Sequence, residues 1–231
     1  MKIKYCLPII KNSKEEVLQE ILQNMDSYDF FEIWLDYIDD VNKVFIKRLT
    51  DQFGEKLIVV FRRKNLEAIR MGLEKRLNII SLLKNSQLLL DLDIYGQKEE
   101  LNTIKKDHLK INTIVSYHNY QETPDDGKLK AIIDTMKTYE PSIFKIATKC
   151  NYPKDALRLL GLLLAIKQKN IKCIVLGMGE LGIITRIFGS LWGNEMTFAP
   201  KNKLESSASG QLTKKQLETI FRVLGIGILK G

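Results

Sequence analysis

Hydrophobic and polar positions along the 231-residue chain fall into two alternating rhythms, short β-rich runs and amphipathic stretches of helical period. Lys2 to Ile10 reads as a strand, and Ser13 to Met25 as a helix in which Ser13 is the N-cap and Glu16 completes a capping box. The pattern repeats as strand 30 to 38 with helix 40 to 53, strand 56 to 63 with a helix filling much of 66 to 84, and strand 88 to 95 with helix 97 to 107. It continues as strand 110 to 118 with helix 126 to 139, strand 142 to 149 with helix 153 to 169, and strand 172 to 178 with helix 181 to 191. A short strand 196 to 199 before a helix 213 to 229 makes the eighth unit.

Eight consecutive βα units in one chain of this length predict an α/β fold, a single (β/α)8 TIM barrel occupying residues 1 to 231 as one domain. A doubly wound open sheet usually has fewer strands and a glycine-rich first turn, and Ile10-Lys11-Asn12-Ser13 has no glycine. In either architecture ligands bind at the C-terminal ends of the strands, so candidate chemistry is sought there.

Strand side chains alternate faces. In strand 30 to 38 the face of Phe31, Ile33, Leu35 and Tyr37 must meet the helices, which turns Glu32, Trp34 and Asp36 inward. Asp91 and Asp93 turn inward by the same logic. An ionised carboxylate inside a barrel needs a partner, either a cation such as Arg62 or Arg63 or a ligand hydroxyl. His118 falls at the rim of strand 110 to 118, where a histidine can shuttle protons at neutral pH or can be a satisfied imidazole. Lys145 shares its face with Ile143 and Ala147, a setting in which desolvation favours the neutral, nucleophilic amine. A snorkelling structural lysine is the alternative. Two further segments suit anions: Gly177-Met178-Gly179-Glu180-Leu181-Gly182 with Arg186 one turn into the next helix, and Ser206 to Gln211 before Thr213, the N-cap of the last helix.

Composition narrows the classes. With 36 Lys+Arg against 28 Asp+Glu and 45% hydrophobic residues the chain is globular, and its scattered lysines lack the clustering of a nucleic-acid strip. The longest apolar run, Leu159 to Ile166, falls short of the roughly 20 residues of a bilayer span, and no cleavage signal follows the first strand, so a cytoplasmic protein is expected. Cys6, Cys150 and Cys173 form no CxxC pair, and two histidines are too few for a zinc cluster; reduced thiols and no metal are expected.

Taken together, Ser116-Tyr117-His118-Asn119-Tyr120 with Thr123-Pro124, Lys145-Ile146-Ala147, Met178-Gly179 followed by Arg186, and Ser207-Ala208-Ser209-Gly210-Gln211 resemble the type I 3-dehydroquinate dehydratases. The resemblance spans nearly the whole chain. It implies conversion of 3-dehydroquinate to 3-dehydroshikimate and water in the shikimate pathway, through a lysine Schiff base, without a cofactor or metal. It implies Lys145 and His118 as the catalytic pair, Glu67 as the acid that supports the histidine, and Arg186 as the carboxylate ligand. Ser207 and Gln211, Glu32 and an arginine after strand three then contact the substrate. Arg63 keeps the family's four-residue spacing to Glu67, whereas Arg62 fits the strand register almost as well. The sequence departs from the pattern at Trp34, where the family has an arginine, at Ala68 in place of a glycine, at Asn119 for aspartate and at Ser209 for proline. The alternatives are another Schiff-base barrel of the class I aldolase kind and a degenerate barrel that binds a carboxylate without turnover. The expected partner is a small-molecule substrate, with no nucleic acid and no membrane, and a homodimer is left open.

Overall fold

The computed structural model describes residues 3 to 226. Eight parallel strands alternate with eight helices: β1 (Tyr5–Ile9), α1 (Lys14–Asn24), β2 (Phe30–Trp34), α2 (Lys43–Phe53), β3 (Leu57–Val60), α3 (Leu73–Leu82), β4 (Leu89–Asp93) and α4 (Lys98–Lys106). They continue as β5 (Asn112–Asn119), α5 (Asp126–Lys137), β6 (Ile143–Lys149), α6 (Pro153–Lys167), β7 (Cys173–Met178), α7 (Ile183–Trp192), β8 (Thr197–Phe198) and α8 (Lys214–Val223). The strands follow sequence order in the sheet, with β8 beside β1, which is the order of a (β/α)8 barrel. Lys2 and residues 227 to 229, ends of the first strand and last helix expected from the sequence, lie outside the described residues. No described helix is long and apolar enough to cross a membrane.

The chain packs as two compact units. One comprises residues 9 to 116 and 134 to 142 and so carries β2 to β4, most of β5 and helices α1 to α4. Its core follows from strand alternation: Phe31, Ile33 and Leu35 are fully buried, and β3 is buried along its whole length. The other comprises residues 1 to 8, 117 to 133 and 143 to 231, and carries most of β1, the end of β5, most of α5, and everything from β6 onward. There β1 pairs with β8, Tyr5 opposite Thr197, and β6 pairs with β7, Lys145 opposite Ile174.

Several expected boundaries move, among them those of β2, α3 and α7, and α8 ends at Val223 where 229 was expected. Strand β2 ends at Trp34, and residues 35 to 37 form a single 3-10 turn, because the Asp36 carboxylate turns to accept the backbone N–H of Arg62 at 3.0 Å. Helix α3 starts at Leu73, not near 66. Asn65 takes a left-handed φ of 70°, and the segment after β3 is held instead by Glu67 on Arg63 and by Arg62 donating to the Ala68 carbonyl at 2.9 Å. Ile69, inside the range expected to be helical, is exposed. Helix α7 begins at Ile183 after a short turn over Glu180–Gly182. The expected caps are realised: Ser13 accepts from the N–H of Glu16, and Thr213 forms a capping box with Gln216.

Candidate active site

In the unit containing β6, Lys145 and His118 are both buried at 4% and 9% exposure. Strands β5 and β6, which carry them, are neighbours in the sheet. The strand alternation that places Ile146 and Phe144 toward the helices leaves the Lys145 amine inside, with Nζ 4.4 Å from the centroid of the Phe198 ring on β8, within cation–π range. The His118 imidazole meets the Tyr120 ring edge-on at 6.4 Å. Beyond β5 the chain is clamped to the segment that follows Lys145. Thr123 Oγ1 donates to the Lys149 carbonyl at 2.8 Å and shares a hydrogen bond with Thr148 Oγ1, and Asn151 Nδ2 donates to the Gln121 carbonyl at 2.7 Å. Arg158 completes the clamp by donating to the Pro124 carbonyl and to Asp126. Asn119 uses the atom an aspartate lacks, donating Nδ2 to the Tyr117 hydroxyl while its Oδ1 accepts the N–H groups of Gln121 and Glu122.

Two glycines beyond β7 leave no room for a side chain. A Cβ on Gly182 would strike the backbone of Gly177, and Gly210, at φ 78°, lies against the carbonyl of Gly179. This close approach seats the Ser207 to Gln211 loop: Gly179 N donates to the Ser209 carbonyl at 3.3 Å, and Arg186 Nη2 reaches the same carbonyl at 3.4 Å. Because the contact uses the Ser209 backbone, the missing proline does not disturb it. Ser207 and Gln211 pair reciprocally, Ser207 N donating to Gln211 Oε1 and Gln211 Nε2 to Ser207 Oγ, both at 3.0 Å. Arg186 itself is 2% exposed, and its Nε has no hydrogen-bond partner. Burial pushes its pKa down to about 10, against an opposing effect of Cys150. A buried guanidinium with an unsatisfied donor is a socket for an anion.

The other unit gathers the remaining candidates at the ends of β2 and β3. Both alternatives for the arginine are buried, but they are held differently. Arg62 lies over the Tyr37 ring with Cζ 3.9 Å from the centroid and Nε 4.0 Å from Asp36. Arg63 pairs with Glu67, Nη1 to Oε1 at 3.0 Å, and donates its backbone N–H to Glu67 Oε2 at 2.6 Å. Burial raises the pKa of Asp36 against the lowering effect of the Arg62 backbone and guanidinium. Glu32 is buried and accepts the indole N–H of Trp34 at 3.0 Å. Asp93 caps its own turn, taking the N–H groups of Tyr95 and Gly96, so its inward carboxylate has a structural use.

The periodicity missed three groups: Thr123, Arg158 and Asn151 in the clamp after His118, Phe198 beneath Lys145, and Tyr37 beneath Arg62. Only Thr123 carried a sequence signal, through the Thr123-Pro124 pair. The rest depend on contacts between residues far apart in the chain.

The sequence matches the model of the type I 3-dehydroquinase family over residues 5 to 228. It is 31% identical to the 3-dehydroquinate dehydratase of Pyrococcus abyssi over 222 residues, 95% of this chain and 97% of that protein. The 3-dehydroquinate dehydratase of Coxiella burnetii is 29% identical over 221 residues, 95% of this chain and 92% of that one. Among solved structures, the 3-dehydroquinate dehydratase of Geobacillus kaustophilus superposes with a TM-score of 0.81 at 24% identity, covering 97% of this chain and 92% of that one. The type I enzyme of Clostridium difficile, solved with covalently modified comenic acid, gives 0.79 at 22% identity, covering 96% and 92%. At these identities the two structures speak for the fold.

Proposed function

The chain belongs to the type I 3-dehydroquinase family, and from that premise we propose that it removes water from 3-dehydroquinate through a Schiff base on Lys145. As a family member it is an enzyme, a hydro-lyase, and the reaction belongs to the shikimate pathway. Lys145 Nζ attacks the substrate ketone to give a carbinolamine, which loses water to an iminium. The iminium draws electron density from the neighbouring carbon, and His118 removes the proton there. The electron pair left by that C–H bond forms the enamine, whose collapse breaks the β carbon–oxygen bond. The imidazolium of His118 returns its proton to the departing hydroxyl, which leaves as water. Addition of water to the iminium of the product frees 3-dehydroshikimate and the Lys145 amine, so the net change is loss of one water.

Arg186 serves the substrate carboxylate, and Ser207 with Gln211 the loop that contacts substrate. Glu67 supports the histidine, while Glu32 and Arg63 serve the hydroxyl-bearing edge. Arg63 is preferred to Arg62 because Arg62 is occupied by Tyr37, Asp36 and the Ala68 carbonyl, whereas Arg63 keeps the pairing with Glu67. Residues 1 to 231 act as one catalytic domain on a small diffusible substrate in the cytoplasm.

The observation that carries this reading is the burial of Lys145 on the strand beside that of His118. Its test is reduction with borohydride in the presence of substrate or product, then digestion and mass mapping. The adduct is expected on Lys145; an adduct on Lys149 or Lys154 alone sinks the assignment.

A further inference from the structure

Glu32 and Trp34 stand two residues apart at the end of β2, on one face of the strand, and both are buried. Trp34 pairs with Val60, the last residue of β3, so it sits at the C-terminal end of the sheet. Its indole makes two contacts with residues of the candidate site. The N–H donates to Glu32 Oε2 at 3.0 Å, and the ring face lies 5.2 Å from the Arg63 guanidinium carbon. The Tyr37 and Trp34 rings meet near perpendicular, their centroids 6.0 Å apart.

We propose that Trp34 positions Glu32 as the acceptor for a ring hydroxyl of the substrate, and so sets the hydroxyl specificity of this site. The inference rests on the dehydratase reading and deepens it. An indole has one donor and no acceptor. It therefore holds Glu32 through one oxygen and cannot compete with the carboxylate for a hydroxyl proton. A guanidinium at position 34 would behave differently, engaging both carboxylate oxygens with its fork and setting a second positive charge beside Arg63. The indole does the opposite for Arg63: its electron-rich face attracts the guanidinium without consuming any of its N–H donors. Trp34 thus orders an acceptor and a donor side by side while adding no charge, an arrangement that fits a neutral, hydroxylated ring edge.

The test is a cycle between residue and substrate. Trp34→Phe keeps the ring and removes the N–H; it is expected to raise KM about tenfold while kcat changes less than about threefold, as for a lost charge-assisted hydrogen bond. An analogue of 3-dehydroquinate lacking one ring hydroxyl away from the reacting carbons should be a poorer substrate for the unmodified protein. For Trp34→Phe that penalty should nearly vanish. If the variant and the missing hydroxyl lower kcat/KM independently, the inference is overturned.

A second measurement does not depend on that variant folding. The chain has two tryptophans, Trp34 and Trp192, and Trp192 is exposed as the last residue of α7. Trp192→Phe leaves Trp34 as the sole indole emitter. Titration with 3-dehydroshikimate should then change its emission and saturate at the product's inhibition constant; emission unchanged at saturation overturns the inference. Borohydride trapping on Lys145 separates the two levels. Absence of trapping defeats the dehydratase reading, whereas trapping with an unaltered hydroxyl penalty in Trp34→Phe defeats only the role of Trp34.

Discussion

The two units hold their candidate residues by different means. Around Lys145 and Arg186 the framework is backbone and glycine: Gly182 on Gly177, Gly210 on Gly179, and loops closed by hydrogen bonds to carbonyls. The Arg186 guanidinium there reaches a backbone carbonyl, that of Ser209, through Nη2. Around Glu32 and Arg63 the framework is side chains, with Arg63 on Glu67, Arg62 near Asp36, and the Trp34 and Tyr37 rings against the two guanidiniums. The first region holds its arginine against backbone, whereas in the second each arginine meets an aromatic ring and a carboxylate. Substitutions in the first should therefore damage turnover or binding far more than stability. In the second the two effects should be smaller and harder to separate.

The sharpest way to break that contrast is at the covalent residue. Lys145→Met should abolish borohydride trapping and lower kcat by roughly 10⁵-fold or more, by analogy with removal of other enzyme nucleophiles. Near-normal turnover in a folded variant would leave the dehydratase mechanism without its centre. His118→Ala should cost about 10² to 10⁴-fold in kcat, the usual range for general acid–base catalysis, yet still permit some trapping. His108, exposed just beyond α4, provides the control: His108→Ala should be almost silent in the same assay.

Arg186 sharpens the comparison because its stability and function should move in opposite directions. Burial pushes the pKa of Arg186 down to about 10, so the folded state disfavours the charge. Stability therefore rises as pH climbs above that value, and below about pH 10 the full burial penalty applies. Arg186→Met should accordingly raise the melting temperature of the ligand-free protein at neutral pH. It should also cost roughly 2 to 5 kcal/mol in kcat/KM, since a buried carboxylate of the substrate loses its counter-charge. A variant that is less stable and equally active would show that Arg186 is structural.

The same contrast explains what the sequence disclosed. Lys145, His118, Arg186, Ser207 and Gln211 sit in short contiguous motifs attached to strand ends, and alternation within one strand suffices to turn Lys145 inward. The region of β2 and β3 was read less well. Glu32 and Trp34 share a face, as alternation requires, but the end of β2 at Trp34 depends on Asp36 reaching Arg62, 26 residues away in sequence. The loop after β3 mimics a helix in its apolar spacing, and only the Arg63–Glu67 and Arg62–Ala68 bonds show why it does not become one. A hydrophobic period records which residues are buried in their own element; it carries no information about which distant side chain takes a backbone donor.

Between the large catalytic effects and the smallest ones stands Gly210. With φ at 78° and the Gly179 carbonyl in the place of a Cβ, Gly210→Ala is strained by conformation and by contact. It should lower stability by about 1 to 3 kcal/mol and raise KM by displacing Ser207 and Gln211. A KM within twofold of the parent, in a variant of reduced stability, would separate the loop from substrate binding.

The smallest expected effect is at Asp36, and its sign follows from the balance of burial against pairing. Burial raises the pKa of Asp36, and the backbone N–H of Arg62 with its more distant guanidinium offsets this only in part. The folded state therefore binds a proton at higher pH than the unfolded chain does, and stability rises as pH falls through the raised pKa. Asp36→Asn preserves an oxygen that can accept the Arg62 N–H but no longer titrates. At neutral pH it removes a buried charge and also the counter-charge of Arg62, two contributions of opposite sign, so the net change should stay within about 1 kcal/mol. Denaturant titrations of parent and variant from pH 4 to 8 should show the parent gaining stability relative to Asp36→Asn toward acid. A parent that loses relative stability on acidification would mean that the ion pair with Arg62 outweighs burial, and that this region is held by its charges more strongly than the geometry around Asp36 indicates.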